Sequence, residues 1–189
     1  MNIEKLFSEF PYIETEELII RKTKVEEFEE WYSLETSNEF TPRKSYKLSK
    51  DAAYNMLSKH YDRDFAKRKV IFLGLYSKCE QNRLVGRIEI FDVNAKIDMV
   101  TIGYTLGTQF CGKGIATKAV NALINYLFIE IGVNRIQAFV MPKNTKSGAV
   151  LIRNNFVKEG TIRQGNYWIG QGVIDLELYS ILKEEYQAK

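Results

Sequence analysis

The stretch that decides the fold is residues 102–120, which read IGYTLGTQFCGKGIATKAV. It begins as a β-branched and partly aromatic run, which favours a strand, and then enters a loop with three glycines. A helical pattern follows directly, since apolar residues recur three and four positions apart. These residues are Ile115, Ala119, Ala122, Leu123, Tyr126 and Leu127. The stretch therefore predicts a strand, a glycine loop and an amphipathic helix in succession.

This succession is well suited to hold a phosphate group. The N–H groups in the first turn of a helix have no partner within the helix, and the helix dipole places partial positive charge there. Glycines allow positive φ and a close approach to a ligand, and Lys113 adds a full positive charge. The loop matches neither GxxxxGK[ST] nor GxGxxG. A glycine-rich turn before an ordinary amphipathic helix is the alternative.

Length and composition indicate one globular domain spanning residues 1–189. Apolar residues make up 45% of the chain and charged residues 27%, which is typical of soluble proteins. No run of 18 apolar residues occurs, and the first 17 residues are acidic and interrupted by Pro11, unlike a signal peptide. Two cysteines do not make a disulfide framework, so we expect a reducing, cytoplasmic location.

The scarcity of histidine and cysteine excludes two classes of site. With only His60 and the distant Cys79 and Cys111, we expect neither a zinc cluster nor a Ser-His-Asp triad, and no metal. A net charge of +3 permits contact with RNA or an anionic cofactor without requiring it. The basic stretch at residues 63–69 leaves an RNA-associated function open, although its interleaved acidic residues are more typical of a solvated helix face.

Hydrophobic periodicity predicts about seven strands and about four helices. The strands are expected at residues 15–21, 69–76, 83–92, 99–106, 135–141, 157–169 and 173–182. The helices are expected at residues 25–34, 51–68, 117–131 and 145–154, with Gly132 and Asn155 in left-handed conformations after the last two. Residues 1–14 are expected to form a docked arm, and residues 36–50 a loop, because Pro42 forbids a continuous helix. This order predicts an α+β (mixed α/β) fold around a mostly antiparallel sheet.

Two segments carry a resemblance to a known family. Residues 109–114, QFCGKG, resemble the acetyl-coenzyme A (acetyl-CoA) loop of the GCN5-related N-acetyltransferases (GNAT), whose signature is [QR]xxGx[GA]. Residues 134–160 are similar to the RimJ/RimL-like subgroup, which acetylates the N-termini of ribosomal proteins. The matching positions are Arg135, Asn144, Ser147, Arg153, Phe156, Glu159 and Gly160. Residues 15–21, TEELIIR, are also similar to the start of these acetyltransferases, and residues 175–180, DLELYS, to the subgroup's final strand. The resemblance therefore covers about residues 15–184.

The resemblance implies a cofactor site. In the GNAT fold the strand at 102–106 splays from the strand at 135–141, and pantetheine lies in the gap. The backbone N–H of Leu106 then faces the thioester carbonyl as a catalytic oxyanion donor. The cofactor-binding positions that it implies are Leu106, Gln109, Cys111, Gly112, Lys113, Gly114, Ala116, Thr117, Asn144 and Ser147.

The catalytic side chains are less well defined by the sequence. Glu89 is the candidate base, because Ile88 and Ile90 should point to the other face of its strand; the alternative is a surface residue paired with Arg87 or a lysine. Asp92, Tyr104, Tyr179 or a water chain are the other candidates. Ser147 is expected either near the sulfur or as the cap of the short helix. Cys111 has no adjacent base and is not expected to be a nucleophile.

Two positions depart from the family pattern. Many GNAT enzymes have a tyrosine seven residues after the asparagine, proposed as the acid for the leaving thiolate, whereas this chain has Leu151. The glycine usual before the phenylalanine is Asn155, which tolerates the left-handed conformation. We expect the acceptor side to be formed by residues 40–46, Phe91 and residues 163–168.

The sequence thus predicts an N-acetyltransferase that moves an acetyl group from acetyl-CoA to a primary amine by direct attack in a ternary complex. The N-terminus of a ribosomal protein or another peptide is one candidate acceptor. A small amine (an antibiotic, polyamine or amino acid) is an alternative, and so is a non-catalytic module that binds coenzyme A or a peptide. We expect a monomer or homodimer, no membrane contact, and no nucleic-acid contact except through a ribosomal substrate.

Overall fold

The computed structural model describes residues 1–37, 49–168 and 170–186. In this part of the chain eight strands form one sheet. The strands are β1 (Ile13–Glu14), β2 (Leu18–Arg21), β3 (Val70–Ser77), β4 (Arg83–Asn94), β5 (Met99–Leu106), β6 (Arg135–Val140), β7 (Val157–Trp168) and β8 (Gly172–Leu182). Their order in the sheet is β1-β2-β3-β4-β5-β6-β8-β7. All neighbours are antiparallel except β5 and β6, which are parallel.

Six α-helical segments pack around this sheet in the described ranges. They are α1 (Ile3–Ser8), α2 (Phe28–Ser37), α3 (Lys50–Asn55), α4 (Tyr61–Ala66), α5 (Ile115–Asn125) and α6 (Thr145–Arg153). A 3-10 turn at Val25–Glu27 leads into α2, and a π-helical turn at Met56–His60 joins α3 to α4. A second π-helical turn, Tyr126–Ile131, extends α5 to the left-handed Gly132. None of these helices has the length and apolar character needed to cross a membrane.

The two faces of the sheet bury separate hydrophobic clusters. Alternating side chains of β4 and β5, such as Ile88 and Ile102, pack with α5 on one face. On the other face, Trp31 of α2 and Tyr61 of α4 pack with Leu84. Burying each large apolar side chain contributes about 1.5–3 kcal/mol. The order of helices and strands therefore produces three layers, with the sheet in the middle.

The α+β prediction is confirmed, with eight strands in place of seven. The additional strand, β1, lies in the predicted arm and pairs Ile13 with Ile20. The same arm forms α1, whose first turn is capped by the side chain of Asn2. Both elements are too short for a hydrophobic period to develop, so the sequence pattern missed them.

The left-handed positions after two helices are also confirmed, with φ of 73° at Gly132 and 64° at Asn155. Helix α5 begins at Ile115, two residues before the predicted start, because Gly114 takes a left-handed conformation as its N-cap. Of the predicted loop at 36–50, residues 38–48 lie outside the described residues.

Two cations of the basic stretch at 63–69 form ion pairs within the chain. Arg68 binds Glu4 through two hydrogen bonds of 2.6 and 2.8 Å, and Arg63 lies 3.1 Å from Asp64. These pairs reduce the charge that this stretch offers to a polyanion, which favours the interpretation as a solvated helix face.

Candidate active site

The glycine loop connects the end of β5 to the N-terminus of α5. Phe110 is buried and anchors the loop, whereas Gly112 and Gly114 have φ of 82° and 79°, which strongly favours glycine. A Cβ atom built on either glycine would meet no atom of the described residues within 4 Å. The backbone is therefore open to a ligand on that side. The first intrahelical bond of α5 runs from the N–H of Lys118 to the carbonyl of Gly114, so the N–H groups before Lys118 have no acceptor within the helix.

Two loop residues have contacts that the sequence did not predict. The Nζ atom of Lys113 lies 2.7 Å from Oε1 of Glu80, in the turn between β3 and β4. The N–H of Cys111, which is expected to bind the cofactor, donates to the carbonyl of Thr108 over 3.3 Å. That long bond would have to be exchanged for a phosphate contact. Gln109 is exposed, while Ala116 and Thr117 are half-buried in the first turn of α5.

Strands β5 and β6 separate just before this loop. Their parallel pairing covers only Met99 to Thr101 opposite Arg135 to Gln137. On the opposite side, β5 stays paired with β4 as far as Leu106, which lies opposite Gly86. The N–H of Gly107 donates to Val85 of β4, and N–H groups alternate between the two sides of a strand. The N–H of Leu106 is therefore directed toward β6, into the opening between the two strands.

Helix α6 borders this opening. Its N-cap is Asn144, whose side-chain oxygen accepts a hydrogen bond from the N–H of Ser147 at 3.2 Å. The capping role considered for Ser147 therefore belongs to Asn144. Ser147 is half-buried, and its carbonyl accepts a hydrogen bond of 2.8 Å from the hydroxyl of Tyr104 on β5. Asn144, Ser147 and Tyr104 thus meet at one border of the opening.

A second phenol, that of Tyr179 on β8, lies against Gly148, the residue of α6 that follows Ser147. The hydroxyl of Tyr179 would be 3.0 Å from a Cβ atom on Gly148, and it donates to Oε2 of Glu177 at 2.9 Å. Burial raises the pKa of Tyr104, the side chain of Ser147 acts to lower it, and the Tyr179 phenol raises it further. Burial and the Glu177 carboxylate also raise the pKa of Tyr179. Both hydroxyls are therefore protonated at neutral pH, which does not favour either as a base.

Glu89 lies on the other face of the sheet. Ile88 and Ile90 point into the core on the α5 face, as predicted, and Glu89 is half-buried on the face covered by α2 and α4. A Cβ atom on Gly103 of β5 would lie 2.9 Å from Cγ of Glu89. Glu89 therefore sits against Gly103 of β5, which precedes Leu106 by three residues. Asp92, another candidate base, is exposed.

A buried charge pair adjoins Glu89. Arg87 is 7% exposed and Glu35 of α2 is 2% exposed, and Nη1 of Arg87 lies 2.8 Å from Oε1 of Glu35. The other terminal nitrogen of Arg87 is 3.4 Å from Oε1 of Glu89. Burial acts to lower the pKa of Arg87, but Glu35 and Glu89 more than offset this effect and the pKa is raised. The sequence indicated Arg87 beside Glu89 through strand alternation, whereas nothing in it indicated Glu35.

The predicted acceptor side is described only in part. Phe91 is half-buried, residues 163–167 of β7 are exposed, and Trp168 is half-buried. Residues 40–46 lie outside the described part of the chain. Within the described ranges, no group of three or more His, Cys, Asp or Glu side chains is arranged to hold a metal ion.

This chain is similar to known acetyltransferases. The model of the acetyltransferase (GNAT) domain family matches residues 17–157. N-acetyltransferase p20 of Bacillus licheniformis is 37% identical over 107 residues, which are 57% of this chain and 60% of that protein. The ribosomal protein uS5-alanine N-acetyltransferase of Escherichia coli is 41% identical over 90 residues, 47% of this chain and 46% of that protein. The chain thus aligns with about half of the length of these curated relatives.

The fold has a solved counterpart in RimL, a ribosomal-protein alpha-N-acetyltransferase whose structure contains coenzyme A. The two superpose with a TM-score of 0.80 at 19% identity, over 93% of this chain and all of that chain. This likeness concerns the fold. Because the family model covers most of the chain, and the glycine loop and the strand opening lie within it, the protein belongs to the GNAT acetyltransferase family.

Proposed function

We propose that this protein is an N-acetyltransferase that transfers the acetyl group of acetyl-CoA to a primary amine, with a peptide N-terminus as the favoured acceptor. The observation that carries the proposal is the opening between β5 and β6, which leads into a left-handed glycine loop at the N-terminus of α5. A ligand with a phosphate at one end and an extended arm suits this shape. The ribosomal protein uS5-alanine N-acetyltransferase of Escherichia coli supports the choice of acceptor.

The residues present fit this cosubstrate. The first-turn N–H groups of α5, with those of Gly112 and Gly114, would hold the pyrophosphate, and Lys113 would add charge at the edge of the loop. The amide nitrogen of Asn144 would bind the pantetheine arm while its oxygen continues to cap α6. Acetyl-CoA supplies the activated acetyl group, and the protein supplies orientation.

Two faces of the sheet would contribute to the reaction. Along β5, Tyr104 and Leu106 lie on the face of α5 and α6, and Gly103 and Thr105 lie on the face of Glu89. The cofactor would enter from the first face and the amine from the second. The N–H of Leu106 would donate to the thioester oxygen as it becomes negative. Glu89 would take the proton of the amine, directly or through water. We further propose a single domain acting in the cytoplasm, consistent with the exposed free thiols of Cys79 and Cys111.

Calorimetric titration with acetyl-CoA, with NAD and ATP as controls, tests the loop. Selective binding of acetyl-CoA supports the site, and absence of binding would reduce the loop to a turn. Release of free thiol in the presence of N-terminal ribosomal peptides, compared with polyamines, amino acids and aminoglycosides, then identifies the acceptor class. Binding without thiol release for any amine would favour a non-catalytic module.

A matched variant tests the base. Glu89→Gln should lower kcat by about 100-fold or more, the usual range for a general base, with acetyl-CoA affinity unchanged. Asp92→Gln removes an exposed carboxylate on the same strand and should leave kcat unchanged. An active Glu89→Gln would return the proton transfer to water.

A further inference from the structure

One phenol reaches from β5 to α6 at the border of the opening between β5 and β6. Tyr104 is on the face of β5 that carries Leu106, two residues away and therefore about 7 Å along the strand. Its hydroxyl reaches α6 and donates to the carbonyl of Ser147 at 2.8 Å. The phenol thus lies on the cofactor side of the sheet, between the proposed oxyanion donor and the first turn of α6.

The Tyr104 hydroxyl contacts α6 at a particular turn. In an α-helix, the carbonyl of Ser147 also accepts from the N–H four residues later, which is that of Leu151. The Tyr104 hydroxyl therefore lies beside the turn that joins Ser147 to Leu151. Leu151 itself is fully buried in the core and has no proton to give.

The other nearby phenol has a different bond. Tyr179 donates its single hydroxyl proton to the Glu177 carboxylate at 2.9 Å, and that carboxylate is also bound by Lys158. Tyr104 donates only to a neutral carbonyl, which is a weaker acceptor than a carboxylate. Of the two hydroxyls, that of Tyr104 is the one bound to an uncharged acceptor.

We infer that Tyr104 is the proton donor to the leaving thiolate. This inference rests on the proposed function and adds a catalytic residue to it. When the amine nitrogen forms its bond to the acetyl carbon, the C–S bond breaks and its electron pair goes to sulfur. The Tyr104 hydroxyl transfers its proton to that sulfur, giving free coenzyme A. The phenolate is then reprotonated from solvent, which has received the proton lost by the amine through Glu89 or water.

Burial acts on donor and acceptor in the same direction. It disfavours the charged form of each group, so it raises the pKa of the Tyr104 phenol and also that of a thiol released into the same opening. The phenol stays protonated at neutral pH, and a thiolate formed beside it is a stronger base than one in water. Burial therefore acts in the same direction on the pKa of the phenol and on that of the thiol.

Single-oxygen deletions test the assignment. Tyr104→Phe should reduce kcat at saturating acetyl-CoA by about 10- to 1,000-fold, within or just below the usual range for general acid catalysis. Its affinity for acetyl-CoA, measured by calorimetry, should stay within about twofold, because the oxygen is proposed to act at the leaving step. Tyr179→Phe, which removes the same atom from the neighbouring phenol, should retain most of the activity.

Fluorinated tyrosine at position 104 separates chemistry from structure. Fluorine makes the phenol more acidic with little change in shape. If proton transfer to the leaving thiolate limits the rate, kcat should change progressively with the acidity of the phenol. The same replacement at Tyr179 should leave kcat constant. A rate independent of acidity at both positions would return Tyr104 to a structural bond with α6.

The two proposals fail in different ways. Normal turnover by Tyr104→Phe, with Ser147→Ala strongly impaired, would overturn the assignment of Tyr104 and give the role to the Ser147 hydroxyl. A wild-type protein that binds no acetyl-CoA, or releases no thiol with any amine, would overturn the proposed function and this inference with it.

Discussion

At the scale of single residues, the glycine loop depends on two backbone conformations. Gly112 and Gly114 have positive φ, and in the described part of the chain no atom lies within 4 Å of a Cβ atom at either position. Residues with a Cβ atom pay about 1–2 kcal/mol in this region of φ and ψ. That cost limits which residues can stand here, independently of any ligand.

Gly112→Val should separate strain from binding. We expect a loss of about 1–2 kcal/mol in the free energy of unfolding from the left-handed conformation. We also expect a loss of at least about tenfold in acetyl-CoA affinity, because the branched side chain would enter the proposed pyrophosphate space. Urea denaturation and calorimetry measure the two effects.

Gly132→Val is the matched control. Gly132 has φ of 73° and ends the same helical segment at its other end. It should show the same strain without a change in acetyl-CoA affinity. Equal affinity losses in both variants would mean that strain alone explains the effect at Gly112.

At the scale of elements, the N-cap of α6 has two roles in the proposal. The side-chain oxygen of Asn144 caps the helix, and its nitrogen is assigned to pantetheine. Asn144→Ala should cost about 1 kcal/mol of stability through the cap and also weaken acetyl-CoA binding. Asn144→Asp should retain stability, because a carboxylate caps equally well and suits the helix dipole, yet still weaken binding.

The matching control for this pair is the N-cap of α1. Asn2 accepts a hydrogen bond of 2.9 Å from the N–H of Lys5. Asn2→Ala should lose about 1 kcal/mol in denaturation without affecting acetyl-CoA binding. Full affinity in Asn144→Asp would remove Asn144 from the cofactor site.

Strands β6, β7 and β8 are joined by an acid-sensitive pair. Arg135 binds both oxygens of Glu159, at 2.7 and 2.9 Å, and the hydroxyl of Ser180 donates to the same carboxylate. The hydrogen bonds from Arg135 and then from Ser180 lower the pKa of Glu159 to about 2. A lowered carboxyl pKa stabilises the fold above the unfolded-state pKa of about 4.3, and this stability is lost as pH falls toward 2.

Glu159→Gln should therefore be less stable than the wild type at pH 7 by about 1 kcal/mol, a value reduced for solvent screening because the side chain is 36% exposed. The difference should shrink between pH 4 and pH 2. Urea midpoints at pH 7, 4 and 2.5 measure it. A constant difference across this range would show that the carboxylate charge does not contribute.

At the scale of the whole molecule, the buried pair of Arg87 and Glu35 links the sheet to α2. Removing one partner of a buried ion pair leaves a charge without full compensation, which costs about 3–5 kcal/mol. Arg87→Met should therefore be strongly destabilised in urea denaturation. The double variant Arg87→Met/Glu35→Leu should recover part of the loss, since apolar residues of similar volume can replace such pairs.

A double variant whose loss equals the sum of the losses in Arg87→Met and Glu35→Leu would show that the pair makes no direct energetic contribution. Leu34→Ala, a buried apolar deletion on the same helix, provides the reference for a packing loss of about 2–5 kcal/mol without a charge.

The sequence alone determined the features that depend on near neighbours. The alternation of Ile88, Glu89 and Ile90 placed the carboxylate on the face opposite the two isoleucines, and the apolar period after Gly114 gave α5. The glycine and asparagine positions gave the left-handed conformations, because φ is restricted by each residue's own Cβ atom. The family resemblance supplied the loop and the outline of the fold on the same local grounds.

Only the tertiary structure decided the features that depend on distant parts of the chain. It ended the pairing of β5 and β6 at Thr101 and Gln137, and it brought Glu35 against Arg87 and Tyr104 against Ser147. Strand pairing and burial arise from packing between elements far apart in sequence, so no local period encodes them. The two-residue strand β1 belongs to the same class, since its pairing with β2, and not its own composition, makes it a strand.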